Sequence, residues 1–350
     1  MLNKSTILTY PFLLLLSTGK RSFENLGRFI QLSGRAVASM LPSENISFGI
    51  AHNICRSIFY GKKKLYLIVD DTLIKKIYAT NMRGAGMFFD TKIGRCINAF
   101  RLVTAMLSDG RYSIPIDCAY LFAKELIDLC SERFKSKDDI VKAFVIVAQQ
   151  LFPHATIVVV ADGLYSSIEF LKWCVENKVS AEFRMHSNRV VTYKGIRKPV
   201  RELAKLPGVQ LTGRQTARTI SVDWHGLNLE LTIVKRVDKH DQESIVFQIA
   251  THKAEPREHV KTYRIRWETE KLYRTSKQSL GLQDCFSKDL AVQHKHVAAT
   301  LLAYAFAELE RKRLRLDTPE DSIRASKEKF DPSHFAQLID QYESFTYFDA

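Results

Sequence analysis

Between Tyr263 and Phe286 the chain reads YRIRWETEKLYRTSKQSLGLQDCF, and Tyr263, Arg266, Glu270 and Lys277 stand at offsets 0, 3, 7 and 14. Pro256 suits a first helical position and Gly281 the position just past an end, so most of this stretch is predicted as one helix. At about 100° per residue the four side chains fall within an arc of roughly 60°, along roughly 21 Å of axis. Trp267 and Arg274 flank that arc. One face then carries a carboxylate with a phenol, two guanidiniums, an amine and an indole. Arg266 can fork onto a phosphate, Lys277 can neutralise one, and Tyr263 can donate a hydrogen bond to one. Trp267 offers a stacking surface for an unpaired or flipped base, or equally an indole anchoring the helix. A plainer account also fits: Arg266 with Glu270, and Glu270 with Arg274, are each four apart and would form surface ion pairs worth roughly 0.2–0.5 kcal/mol each.

Two apolar runs supply further carboxylates. Leu65–Val69 is apolar on both faces, as in the centre of a sheet, and ends on Asp70 and Asp71. TIVVVADG, residues 156–163, is a second such run and ends on Asp162. A loop holding Arg83, Gly84 and Gly86 follows the first run. Two strands, Ile97–Leu107 and Tyr112–Phe122, then flank the turn Ser108-Asp109-Gly110. A helix over Asp138–Leu151, a helix over Ser166–Asn177 and a strand over Val179–Arg184 complete the pattern. Strand–helix–strand units lay their strands parallel with a right-handed crossover. The whole order is that of a ribonuclease H-like fold, in which the first and fourth strands are parallel neighbours. Asp70 and Asp162 are therefore expected at adjacent carboxyl ends, where α/β sheets place their sites.

Asp70, Asp162 and Glu270 lie 92 and 108 residues apart. Three converging carboxylates repel one another unless cations offset them. Mg²⁺ prefers oxygen ligands, and a pair of such ions roughly 3.5–4 Å apart activates a water or a 3′-hydroxyl against a phosphodiester.

The remaining sequence favours a polyanionic partner. The 350 residues carry a net charge of +14, unusual for an enzyme of small acidic metabolites. Nine Lys or Arg (Arg184, Arg189, Lys194, Arg197, Lys198, Arg201, Lys205, Arg214, Arg218) face one acid, Glu202, across residues 184–220. Strands at Thr219–Val222, Leu227–Val234 and Ser244–Thr251 make this region a β-rich basic insertion, tracking phosphates or simply solvated. Cys55, Cys96, Cys118, Cys130, Cys174 and Cys285 form no C-x-x-C pair, which argues for a reducing compartment with neither a disulfide framework nor a zinc site. The histidines show no H-E-x-x-H spacing, and His294 and His296 read as structural or surface residues.

Ile7–Leu16 is too short to span a bilayer, lacks a signal-peptide cleavage pattern and is expected to be a buried segment, so no membrane is implied. Ser22–Gln31 and Arg35–Leu41 make either an ordinary helical hairpin or a helix-turn-helix with Ser33 at the second cap. Leu290–Leu309 is apolar at helical spacing and is expected to pack across the sheet; its basic end, ERKRLRL, could reach a backbone phosphate. The expected organisation is a helical N-terminal region over 1–60 that could bind DNA, a first core segment over 61–185, the insertion over 186–254, a second core segment with Glu270 over 255–316, and a tail over 317–350.

The pattern Y-x-x-R-x-x-x-E-x-x-x-x-x-x-K, with DDT at Asp70–Thr72, DGLYS at Asp162–Ser166 and LGLQD at Leu280–Asp284, resembles the DDE transposases of bacterial insertion sequences. Within that family it is similar to the group with a β-strand insertion before the catalytic glutamate, over roughly residues 60–315. The resemblance implies an α/β, RNase H-like mixed sheet with flanking helices. It implies Asp70, Asp162 and Glu270 as catalytic ligands of two Mg²⁺ or Mn²⁺ ions, the family's D-x-T favouring Asp70 over Asp71. It implies that Tyr263, Arg266 and Lys277 bind the phosphates at the cleaved end, with Trp267 fitting a base-stacking part, and a homodimer bridging double-stranded transposon ends and target in the bacterial cytoplasm, on the nucleoid. Arg274, flanking the same face, is a further expected DNA-binding residue. The alternatives are an RNase H-like nuclease that cuts without joining, and a domesticated DNA-binding protein needing no metal. A metabolic enzyme is more distant, since no glycine-rich phosphate loop or cofactor fingerprint is visible.

Overall fold

The computed structural model describes residues 4–79, 82–122, 135–237, 241–331 and 334–347. Cys130 lies outside these. The chain divides into two compact units, one of Lys63–Asp70 with Lys137–Glu268, the other of Met1–Lys62, Asp71–Ser136 and Thr269–Ala350.

The first of these units is a mixed sheet. It begins with the first half of β1 (Lys64–Lys75) and continues through α5 (Lys137–Leu151), β5 (Thr156–Ala161), α6 (Ile168–Glu176) and β6 (Ser180–Met185). The next elements are β7 (Val190–Tyr193), β8 (Ile196–Pro199), the single turn α7 (Val200–Leu203), β9 (Ala217–Trp224), β10 (Leu227–Val237), β11 (Glu243–Ala250) and α8 (Pro256–Arg264). β1 and β5 pair in parallel, from Lys64 with Thr156 to Val69 with Ala161. β5 and β6 are also parallel. Leu65, Leu67, Ile68 and Val69 of β1 and Ile157 to Ala161 of β5 are buried aliphatic runs, the composition a central parallel sheet demands, whereas β6 is the mixed run Ser-Ala-Glu-Phe-Arg-Met with Arg184 exposed. The helix α5 buries Ile140, Val141, Phe144, Val145 and Ala148, as its periodicity predicts. The insertion extends the sheet: β11 pairs antiparallel with β6, and β10, β9, β7 and β8 follow in that order. The hairpin β7–β8 was not expected from the sequence.

The other unit contains the second half of β1, then β2 (Gly86–Asp90), β3 (Arg95–Ser108) and β4 (Ser113–Leu121). β3 pairs with β2 through Arg95–Ala99 and with β4 through Arg101–Ser108. The expected loop at Gly84 and Gly86 is thus partly a strand. The expected parallel pairing of the first and fourth strands is that of β1 with β5. The turn between β3 and β4 is closed by Asp109, whose Oδ1 accepts from the amides of Arg111 and Tyr112 at 2.9 Å each.

Helices complete this unit: α1 (Lys4–Leu16), α2 (Phe23–Phe29), α3 (Gly34–Ala38), α4 (Glu44–Ile58), α9 (Trp267–Ser279, from Thr269 onward), α10 (Leu290–Leu314), α11 (Pro319–Glu328) and α12 (Phe335–Asp340). The apolar run at Ile7–Leu16 is indeed buried, in α1 against α10, α11 and α12. Among the described residues no helix is long and apolar enough to cross a membrane. α2 and α3 pack as a short hairpin, capped by Ser22 and Ser33, and Phe29 stacks on Phe330. α10 is buried without interruption from Val297 to Ala307, packed on α1, α4, α11 and β4 rather than on the sheet alone. Its basic end is tied inward: Arg311 meets Glu308 at 3.0 Å, Arg313 pairs with Glu310, and Lys312 Nζ donates to the carbonyl of Ile58.

Candidate active site

Successive side chains of a strand alternate between faces, and residues in register on parallel neighbours share a face. The pairs Tyr66 with Val158 and Ile68 with Val160 are in register, so the next pair of the same parity is Asp70 and Asp162. β1 does not end at Asp70 as expected but runs on to Lys75. Asp70 and Asp162 each lie one residue past the last β1–β5 pair, Val69 with Ala161, so both carboxylates leave on one face where the parallel pairing stops, about 4.8 Å apart in backbone. Tyr263 of α8 packs on Val158, Val160 and Tyr66, which identifies that face as the one beneath α8. Asp71 has the opposite parity, and its Oδ2 lies 3.4 Å from Arg101 Nε.

Asp162 is followed by a single 3₁₀ turn, Gly163–Tyr165, and its Oδ1 accepts from the Gly163 amide at 2.7 Å. A Cβ on Gly163 would stand 2.9 Å from the Arg184 carbonyl, so only glycine fits behind the carboxylate. Arg266 donates from Nη1 to Asp70 Oδ2 at 2.9 Å, with both side chains largely covered. Asp70 is thereby already matched to a cation.

The stretch predicted as one helix is two. Ile265, Arg266 and Glu268 donate to carbonyls three residues back, at Thr262, Tyr263 and Ile265, so the i−4 ladder breaks between α8 and α9. The four motif residues are therefore not carried by one continuous helix. Tyr263 is on α8, Arg266 in the joint, and Glu270, Arg274 and Lys277 on α9. Pro256 does open α8, and Gly281, at φ +75°, follows the end of α9, where Leu282 donates to the Ser276 carbonyl at 2.9 Å.

Tyr263 is buried, and burial pushes its hydroxyl up to about 12; Arg266 opposes this and Asp162 adds to it. The phenol therefore remains a hydrogen-bond donor at neutral pH. Trp267 is 55% exposed, an indole presented rather than packed away.

On α9, Glu270 is half-buried. Arg274 is exposed and 3.4 Å from Glu320. Lys277 Nζ donates to the hydroxyl of Thr72, the third residue of the DDT motif, at 2.6 Å. Burial lowers the Lys277 ammonium to about 8, helped by Lys75 and Lys92 and opposed by Asp90.

The chain matches the transposase DDE domain over residues 137–306 and the DDE superfamily endonuclease family over residues 14–218, more than half its length. It belongs to the DDE superfamily of endonucleases. The resemblance to DDE transposases drawn from the motifs therefore holds at the level of family. No curated protein matches the chain by sequence. DDE enzymes act on DNA and use divalent metal ions. The paired carboxylate oxygens on the face beneath α8 are the donor type such hard cations take. Within the ERKRLRL segment, Arg311 is paired with Glu308, Arg313 with Glu310, and Lys312 with the Ile58 carbonyl.

A second group of metal-ligating side chains was not foreseen. Glu182, His252 and His259 each bring a ligand atom within 4.8 Å of the others. Chain spacing concealed them, since Glu182 precedes the histidines by a whole insertion; the legible signal was an acid inside the apolar strand SAEFRM.

Proposed function

We propose that this protein is the transposase of a bacterial insertion sequence, with Asp70, Asp162 and Glu270 as its metal-binding catalytic carboxylates. The observation that supports the reading is the parallel register of β1 and β5, whose last pair, Val69 with Ala161, is followed on each strand by an acid, Asp70 and Asp162, in a chain of the DDE superfamily. Glu270 joins them as the acid of the Y-x-x-R-x-x-x-E-x-x-x-x-x-x-K motif, four residues beyond the arginine that grips Asp70. Two Mg²⁺ or Mn²⁺ ions held by these carboxylates would supply Lewis-acid activation of water or a 3′-hydroxyl and stabilise the leaving oxygen.

The chain's own groups handle the DNA. Arg266 exchanges Asp70 for a phosphate, which its planar fork can grip through two hydrogen bonds. Tyr263 donates its hydroxyl proton to a phosphate oxygen. Lys277 neutralises another, and Arg274 a third on release from Glu320. Trp267 stacks against a base that leaves the duplex. The basic insertion follows the backbone of double-stranded DNA, and a homodimer bridges the two ends before joining them to target. The cell compartment that fits this substrate is the bacterial nucleoid.

The test is cleavage and strand transfer on cognate ends with Mg²⁺ or Mn²⁺, parent against Glu270→Gln. Cleavage followed by joining in the parent, both lost in the variant, supports the reading. Cleavage without joining makes the protein a nuclease, and undiminished cleavage by the variant removes Glu270 from the mechanism.

A further inference from the structure

We infer that Glu182, His252 and His259 form a zinc site separate from the catalytic carboxylates, clasping β6, the bend after β11 and α8 within one unit. Glu182 lies inside the sheet, in register with Val160 of β5 and Ala250 of β11, and is 1% exposed. A carboxylate at such a place is costly without strong partners. Its partners are imidazoles: His259 Nδ1 at 2.8 Å and His252 Nε2 at 3.3 Å, both directed at Oε1. His259 is also 1% exposed, and its ring centroid lies 5.4 Å from that of His252.

The spacing suits a tetrahedral ion. Bonds of 2.0–2.1 Å place neighbouring ligand atoms about 3.3 Å apart, close to the two separations found. The second carboxylate oxygen, Glu182 Oε2, together with His259 Nε2 and His252 Nδ1, is buried with no hydrogen-bond partner in the protein. Three orphaned polar atoms on three adjoining side chains is a cost that proteins rarely carry. Either carboxylate oxygen can ligate. The side chain of His252, 24% exposed, leaves room for a water as fourth ligand. Two imidazoles and one carboxylate favour Zn²⁺ over Mg²⁺, which takes oxygen ligands and keeps its waters.

The clasp has a purpose in the fold. β11 and α8 are joined by residues 251–255, and His252 lies in that joint. His259 stands one helical turn before Tyr263 on the same face of α8. An ion here fixes the height and rotation of α8 over the paired segments of β1 and β5 that lead to Asp70 and Asp162.

The experiment uses untagged full-length protein incubated with ZnSO₄ and gel-filtered into buffer containing Mg²⁺, followed by elemental analysis and thermal melting. About one zinc per chain is expected in the parent and in Asp162→Asn, with a raised Tm in both. His252→Gln and Glu182→Gln should lower zinc content roughly tenfold or more. His252 is partly exposed, so His252→Gln should keep the parent's far-ultraviolet circular dichroism. Cobalt substitution should give the intense visible bands of a tetrahedral site in the parent and in Asp162→Asn, but not in His252→Gln or Glu182→Gln. No zinc in the parent, equal zinc in His252→Gln, or loss of zinc in Asp162→Asn would each overturn the assignment. The last outcome would place the ion at the carboxylate pair instead.

Discussion

Arg266 Nη1 stands 2.9 Å from Asp70 Oδ2, so a basic residue of the motif neutralises an acid of the same motif before any substrate is present. The guanidinium and a divalent ion compete for that oxygen. Arg266→Ala should therefore bind Mn²⁺ more tightly than the parent in calorimetry without DNA, while losing about tenfold in DNA affinity, equivalent to about 1.4 kcal/mol. Unchanged or weaker Mn²⁺ binding would show that the pair is not a competitor of the ion. Arg266→Lys should not restore the DNA affinity, because an ammonium cannot reproduce the fork.

Parity along β1 separates two adjacent acids. Asp70 shares a face with Asp162, whereas Asp71 meets Arg101. Asp70→Asn should lower cleavage on the order of a thousandfold or more, as loss of a group central to chemistry does. Asp71→Asn should retain cleavage within about tenfold and instead lower thermal stability slightly. A reversal of the two phenotypes would show that the register has been misread.

Lys277 titrates near 8 in the free protein, and a phosphate beside it would raise that value. DNA binding at pH 8.5 should then take up protons, seen as a dependence of the calorimetric enthalpy on the buffer's ionisation enthalpy. Lys277→Met should take up fewer. In stability the sign runs the other way from an ion pair. The folded value lies below the usual 10.5, so the unfolded chain binds more protons between about 8 and 10.5, and this residue's contribution grows as pH rises through that window.

His296 Nε2 donates to the Gly281 carbonyl at 2.8 Å and its bare Nδ1 accepts from the Tyr10 hydroxyl at 2.7 Å, and burial lowers it to about 4. The unfolded chain takes a proton near 6.5 that the folded one refuses until about 4, so stability falls as the solution is acidified across that range. His296→Gln should cost about 1–3 kcal/mol in denaturant melts at pH 7 and flatten the acid limb. A limb of unchanged slope would assign the acid sensitivity to other groups.

Gly281 gives a purely steric test. Its φ is +75°, and a Cβ there would lie 2.6 Å from the Cβ of Arg21. Gly281→Ala should destabilise by about 1–3 kcal/mol, with no change in any titration. A Tm equal to that of the parent would mean that the segment at Arg21 yields freely.

Much of the sheet was legible because Leu65–Val69 and Ile157–Ala161 are apolar on both faces and each run is followed by an acid, although β1 itself continues past that acid to Lys75. β9, β10 and β11 were legible for similar reasons. β8 was not: Ile-Arg-Lys-Pro has no apolar alternation, and it is held only by its hairpin with β7. The break between α8 and α9 was invisible because neither proline nor glycine marks it. Three residues adopt i−3 bonding while the apolar spacing runs on. The Glu182 cluster was hidden for a different reason, since no local period relates a strand residue to a bend and a helix seventy or more residues later.

The burial of α1 has a consequence on the ribosome. Leu8, Phe12, Leu13, Leu14 and Leu15 are covered by α10, α11 and α12, yet α10 begins about 270 residues after α1 ends. At synthesis rates of about 5–20 residues per second, that greasy N-terminus waits roughly 15–55 seconds for its cover. Newly made chains should therefore lean on holding chaperones, and a protein stopped short of Leu290 should be insoluble rather than a smaller working enzyme.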